Sequence, residues 1–203
     1  RGGNKFDLEP FETDITEQTK HVINSGGLTY DLFWKEYKHK LSFYTSAQHV
    51  DRNSYYGAQQ DPNAYGKTKD LTFVGGGMYV GNFDKVLFSP ATFTAGLEYS
   101  HNNMHDIMAG YNRDLEQKVR IASAFFQNEW KMNDFTLLAG FRLDDHNLID
   151  NLIFSPRVNM LYKPSDAFQG RLTWSTGFRA PQAYDEDLHV TAVGGEGVLI
   201  NLA

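Results

Sequence analysis

Apolar and polar residues alternate with a period of two along most of the chain. This period places successive side chains on opposite faces of an extended strand, so it predicts β-strands rather than helices. The clearest runs span residues 28–32, 41–48, 91–100, 135–144, 154–162 and 172–179. Two weaker runs, 71–81 and 119–130, raise the predicted number of strands to eight. The pattern therefore predicts an all-β, antiparallel fold.

The two weaker runs each contain a feature that predicts a local irregularity. Three consecutive glycines, Gly75 to Gly77, suggest a bulge or a close approach of neighbouring backbone. The alternation changes phase near Phe125 and Phe126, as it does where one extra residue enters a strand.

The predicted connections alternate between short and long. Short ones fall near residues 34–39, 82–90, 131–134 and 163–167, and longer polar ones near 52–69, 102–118, 144–152 and from 180 onward. Such a meander has two unlike ends. Aromatic residues flank every short connection: Phe33, Trp34, Tyr37, Phe83, Phe88, Trp130, Phe135, Tyr162 and Phe168. Rings of this kind are typical of a membrane interface.

These features together favour an up-and-down meander that forms part of a transmembrane β-barrel. Barrels of this class have short turns at one end, long loops at the other, and strands that are apolar outward and polar inward. A soluble β-sandwich also alternates, but it has no reason to sort its loops by length. The predicted polar faces carry charges that suit a wet interior: Glu98, Arg142, Arg157, Arg171 and Arg179.

Composition narrows the possible functions. The formal net charge of -6 argues against a nucleic-acid partner, and the chain of 203 residues contains no Cys. No run of about 18 apolar residues predicts a transmembrane helix. His101 and His105 form a possible metal pair, but their position in a predicted loop favours solvated side chains. We therefore expect no metal, no cofactor and no catalytic centre, and we do not expect an enzyme.

Three short motifs carry a resemblance to a known family. The stretch TGFRAP, 176–181, resembles the signature "GFRAP" of TonB-dependent outer-membrane receptors. The stretch LAGFRLD, 138–144, is similar to a strand that precedes it in that family, and SPRV, 155–158, matches the strand between them. The segments 41–57 and 88–101 also look like such receptors, in particular those of Bacteroides-like bacteria.

The resemblance implies a function for the parent protein. Receptors of this family are plugged barrels of about 22 strands, so residues 1–203 are expected to be one internal barrel segment, without the plug and the remaining strands. The implied activity is energised uptake of a scarce small molecule, such as an iron–siderophore complex or cobalamin, across the bacterial outer membrane. The implied partners are outer-membrane lipid, the missing plug and strands, and the TonB–ExbB–ExbD machinery.

Residues 52–69 form the predicted loop with the best chemistry for ligand contact. Tyr, Asn and Gln side chains combine flat apolar area with hydrogen-bonding groups, as recognition loops do. The candidate contacts are Tyr55, Tyr56, Gln59, Asn63 and Tyr65. An ordinary hairpin loop is the other interpretation of this segment. Two other functions stay open: a passive barrel or surface protein, and a soluble β-domain that binds carbohydrate.

The strand at 172–179 predicts which face meets lipid. Leu172, Trp174 and Phe178 are expected on the lipid side, and Thr173, Ser175 and Arg179 on the interior side. Arg142, Arg157, Arg171 and Arg179 are the predicted interior cations, and Pro181 marks the predicted end of regular structure.

Overall fold

The computed structural model describes residues 16–57 and 61–178, and these residues form one antiparallel sheet. Eight strands follow one another in chain order across the sheet. Their bounds are β1 Thr16–Trp34, β2 His39–Gly57, β3 Tyr65–Val86, β4 Ser89–Met108, β5 Arg113–Met132, β6 Phe135–His146, β7 Ile153–Ser165 and β8 Phe168–Ser175. The predicted up-and-down meander of eight strands is confirmed. No helix in the described residues is long and apolar enough to cross a membrane.

The strand pairing carries the alternation of the sequence across the whole sheet. Cross-strand neighbours share a face, and one continuous row consists of Tyr30, Phe43, Gly77, Leu97, Ala124, Leu143 and Phe154. The adjacent row, on the opposite face, consists of Thr29, Tyr44, Gly76, Glu98, Ser123, Asp144 and Ile153. We call these two surfaces the apolar face and the polar face.

The connections at one end of the sheet are as short as predicted. Strands β1 and β2 are joined through residues 35–38, and the β3–β4, β5–β6 and β7–β8 turns contain two residues each, 87–88, 133–134 and 166–167. The tight turns hold several non-glycine residues at positive φ: Lys35, Glu36, Tyr37 and Leu87. Aromatic rings cluster at this end, where Phe88 stacks on Trp130 and Phe135 stacks on Tyr162.

The opposite end differs from the prediction. Residues 52–69 and 102–118 were expected to be long loops, but most of them continue the strands. The connections there shrink to residues 58–64 and 109–112, each with a short 3-10 turn, and to 147–152. Polar composition led to the wrong prediction. A strand that is exposed to water on both faces carries polar residues on both, so its sequence lacks the apolar–polar alternation that identifies a strand.

Strand length consequently divides the sheet into two regions. Strands β1–β5 have 19, 19, 22, 20 and 20 residues, whereas β6, β7 and β8 have 12, 13 and 8. A tilted strand needs about 9–11 residues to cross a bilayer. The apolar band consists of β6–β8 and the parts of β1–β5 level with them in the register, at residues 27–34, 39–46, 74–86, 89–100 and 121–132. The distal extension is the remainder of β1–β5, at residues 16–26, 47–57, 65–73, 101–108 and 113–120.

The two expected irregularities have different outcomes. The glycine run of β3 stays in register, and Gly76 is a point of close approach: a Cβ there would lie 2.7 Å from the carbonyl oxygen of Leu97. The bulge expected near Phe125 is absent, because β5 pairs without interruption there. Register shifts occur instead near two short turns, between Phe83 and Val86 and between Tyr162 and Ser165.

Candidate functional site

The polar face of the apolar band carries a connected hydrogen-bond network. Arg142 on β6 donates from Nη2 to Glu98 Oε1 at 2.9 Å and to Ser123 Oγ at 2.7 Å. Its Nε donates to Asp144 Oδ1 at 2.7 Å. The hydroxyl of Tyr44, on β2, donates to Glu98 Oε2 at 2.6 Å. The network therefore links β2, β4, β5 and β6 through charge-assisted bonds, which are stronger than neutral ones.

Glycines allow the network to cross intervening strands. A Cβ on Gly76 would lie 2.6 Å from the hydroxyl oxygen of Tyr44, so the Tyr44 ring lies flat across β3. Phe125 lies in the same manner over Gly96, where a Cβ would lie 2.4 Å from its ring. Bulky side chains here run along the sheet instead of projecting from it.

A cavity of about 490 Å³ lies on the polar face next to this network. Its polar lining comes from β5–β8 and the residues that follow β8: Gln127, Arg142, Asp144, Ser155, Arg157, Thr173, Ser175 and Thr176. The predicted interior cations Arg142 and Arg157 both lie here. Arg171 lies on the same face, nearer the short turns, opposite Leu161. Arg179 and Pro181 lie outside the described residues.

Phe178 departs from the expected position. Leu172 and Trp174 lie on the apolar face, with 67% and 57% of their surfaces exposed. Phe178 was expected beside them, but its ring packs edge-on against His146, a residue of the polar face, with ring centroids 6.1 Å apart. The ladder ends after Ser175, with one further backbone bond from Thr176 N to Pro156 O, so the alternation no longer fixes side-chain direction.

The distal extension contains a second cavity on the polar face, of about 410 Å³. Its lining mixes apolar and polar side chains: His21, Val50, Arg52, Thr68, Asp70, Thr72, Asn102, Met104, Gln117 and Val119. Asn102 donates from Nδ2 to Asp70 Oδ1 at 2.7 Å and to Thr72 Oγ1 at 2.9 Å. These bonds fix the orientation of an acceptor, Asp70, on the cavity wall.

An ion cluster forms one end of this cavity. The carboxylate of Asp106 is 3% exposed and lies between two guanidinium groups. Arg113 Nε is 2.6 Å from Asp106 Oδ2, and Arg52 Nη2 is 3.4 Å from Asp106 Oδ1. Thr68 donates to the same carboxylate and accepts from Arg52. Of this cluster, Arg52 and Thr68 also line the cavity, so the cluster places a guanidinium group on the cavity wall.

The five predicted ligand-contact residues are not brought together. Tyr55 and Tyr65 are directly paired on the apolar face, with ring centroids 4.8 Å apart, and Tyr55 is buried. Tyr56 lies on the polar face, by its register with Glu17 and its neighbours. Asn63 is in the short 3-10 turn, where its backbone N–H donates to Asp61 Oδ1. Gln59 lies outside the described residues.

Sequence patterns alone missed the residues that line the distal cavity. Arg52 and Asn102 fell in segments predicted to be loops, and Asp70 lay between a predicted loop and a predicted strand, so no face was assigned to them. The sequence offers no local signal here, because neighbouring residues such as Asp51 and Arg52 are both polar although they lie on opposite faces of β2. On the apolar face of the extension, a hydrogen bond from Lys118 holds the pKa of Glu116 below its usual range.

The family follows from comparison with known proteins. Residues 2–196 match the family described as TonB dependent receptor-like, beta-barrel, and the chain belongs to that family. Membership indicates an outer-membrane protein of a Gram-negative bacterium. Comparison with curated proteins gives no match.

Solved structures give the same fold. The siderophore receptor PirA from Pseudomonas aeruginosa is 19% identical, with a TM-score of 0.68 over 83% of this chain and 28% of that one. The siderophore receptor PirA from Acinetobacter baumannii is 18% identical, with a TM-score of 0.69 over 80% of this chain and 26% of that one. The chain thus spans about a quarter of the length of these receptors.

Proposed function

We propose that the parent protein is a TonB-dependent receptor that imports a small ligand across the outer membrane, and that the ligand is a ferric siderophore or a cobalamin-like cofactor. Residues 1–203 would supply barrel wall and the outer rim of the binding site, with the plug, the remaining strands and the TonB–ExbB–ExbD machinery as partners. The observation that carries the proposal is the cavity on the polar face of the distal extension, above an apolar band that fits a bilayer.

The chemistry of this cavity suits a ligand that is partly apolar and partly anionic. Val50, Met104 and Val119 supply apolar wall, and Arg52 supplies a guanidinium group. A few placed polar groups in a largely apolar wall are typical of small-molecule sites. Of the three tyrosines predicted to contact ligand, Tyr56 lies on the same face as this cavity. Tyr55 and Tyr65 lie on the opposite face, so they would contact only a ligand that extends past the end of the strands.

Uptake assays in cells test the proposal. The parent gene is expressed in a strain without its own ferric-siderophore and cobalamin receptors, and uptake is measured with iron-55 as a ferric catecholate, iron-55 as a ferric hydroxamate, and labelled cobalamin. We expect uptake of one of the three, lost when tonB is deleted. Uptake that persists without TonB, or no uptake of any of the three, would contradict the proposal.

Arg52 and Lys69 provide a matched pair for the site. Arg52→Gln and Lys69→Gln each remove one positive charge, but Arg52 lines the cavity and Lys69 lies on the opposite face. We expect Arg52→Gln to raise the half-saturating concentration for uptake several-fold, because the cavity loses its guanidinium group, and Lys69→Gln to leave it unchanged. Equal effects of the two variants would remove the distal cavity from the binding site.

A further inference from the structure

Arg157 lies on the polar face of β7, within the apolar band. Its Cα is paired with Gly140 on β6 and with Ser175 on β8. Its neighbour Val158 lies on the apolar face, in register with Trp174. Arg157 is therefore at the depth of the hydrocarbon, on the side of the wall that faces the barrel interior.

Arg157 differs from Arg142 in its partners. Arg142 has two carboxylates and one hydroxyl as partners. Arg157 has no ion pair and no side-chain hydrogen bond with any residue in the part of the chain that the structure describes, and its side chain is exposed on the polar face. Ionisable side chains within the span of a membrane protein usually face its interior and pair with a partner there.

The surroundings of Arg157 define the partner's chemistry. A guanidinium offers a planar fork of donors that matches a carboxylate. The cavity around it adds further potential donors from hydroxyl groups: Ser155, Thr173, Ser175 and Thr176. Thr173 Oγ1 already accepts a hydrogen bond from Asn159, so its own proton is available to an acceptor. Guanidinium and hydroxyls together form a site for an anionic, oxygen-bearing group.

We propose that Arg157 binds a carboxylate of the segment of the parent chain that fills the barrel interior, the plug. The proposal rests on the proposed function, since it requires a plugged barrel. The chain covers only 28% and 26% of the matched receptors, and the proposed function places the plug outside these residues. A resident partner fits better than a transported ligand, because the cavity lies in the band, below the distal cavity.

Hydrogen exchange on the full-length parent receptor in detergent, followed by mass spectrometry, tests this pairing. Arg157→Gln removes the cation and keeps hydrogen-bonding capacity, and Arg157→Lys keeps the charge without the fork. Arg171→Gln is the matched control, because it removes the same charge from the same face outside the cavity. We expect Arg157→Gln to accelerate exchange about ten-fold in one acidic peptide of the plug, Arg157→Lys to do so less, and Arg171→Gln not at all.

The outcomes separate this proposal from the proposed function. Acceleration confined to β6–β8 would show a structural role within the wall and overturn the pairing, as would equal acceleration by Arg171→Gln. A protected plug that does not respond to Arg157→Gln overturns the pairing alone. A parent protein without any protected segment inside the barrel overturns the proposed function, and the pairing with it.

Discussion

The apolar band and the distal extension are built from the same strands in the same register, yet they meet different surroundings. In the band, the apolar face exposes large side chains, such as Leu97 at 66% and Leu172 at 67%. Eight residues further along β4, the same face carries His105, in a row with Asp51, Lys69 and Glu116. Hydrogen bonding continues without a break, so side chains alone mark where hydrocarbon gives way to water.

The polar faces of the two regions also differ. In the band, Arg142 is 38% exposed and its network is open to the interior. In the extension, Asp106 is 3% exposed and held between two arginines. Removing one member of a buried ion cluster leaves uncompensated charge, whereas a wet network keeps water as an alternative partner. The extension therefore depends more strongly on its charges than the band does.

The largest expected effect is in the ion cluster. Asp106→Ala leaves Arg52 and Arg113 facing each other without their shared anion, and we expect a local loss of about 3–5 kcal/mol. Hydrogen exchange of the distal parts of β3 and β4 in the parent receptor measures it. Asp144→Ala in the band is the matched change and should cost clearly less. Equal losses at the two sites would remove the difference between the polar faces.

The next effect tests the boundary on the apolar face. Leu97→Arg places a charge in the hydrocarbon and should cost about 2–4 kcal/mol if it lies near the midplane, because lipid does not solvate the guanidinium. His105→Arg, on the same strand and face but in the extension, should be nearly neutral. The urea midpoint of the parent receptor in lipid vesicles reports both. If both variants fold with wild-type midpoints, the band is not lipid-facing.

The smallest effect compares glycines. Gly76→Ala forces a Cβ to within 2.7 Å of a backbone oxygen and against the Tyr44 hydroxyl, so we expect a loss of about 1–3 kcal/mol through overpacking. Gly26→Ala, in the extension, meets no atom within 4 Å and should be silent. The same urea measurement serves for both variants. A silent Gly76→Ala would mean that Tyr44 and the strand beside it yield readily.

The sequence predicted the band well because one face there is apolar and the other is polar. Alternation placed Leu97, Leu143 and Phe154 each on the apolar side of its own strand, and the strand register brings the three into one row. The extension was not predicted, since residues such as Asp51 and Arg52 are polar on both faces and resemble a loop. Phe178 was misplaced for another reason: the ladder had already ended, and side-chain direction then depends on local packing with His146.

The candidate site was predicted in part. Arg142 and Arg157 were correctly expected on the same face as Glu98, because the alternation along each strand shows which of its residues lie on the polar face. Arg142 has hydrogen-bond partners on neighbouring strands, and Arg157 has none among the described residues. This difference depends on which strands are adjacent and on glycines over which side chains can cross a strand. Such long-range relations have no local signature in the sequence.

Because β1–β5 remain paired beyond the apolar band, the distal extension is a hydrogen-bonded sheet where loops would otherwise be expected. At about 3.4 Å per residue, roughly ten residues of untilted strand would reach about 30 Å above the lipid. Inserting a single residue into a strand of the distal extension would exchange the two faces of that strand from that point on. An insertion into the turn at 109–112, which lies between β4 and β5, would interrupt no ladder. The proposed function places the distal extension on the outer side of the membrane, so the turn at 109–112 is the position at which a fluorophore or an epitope can be inserted for labelling of the cell surface.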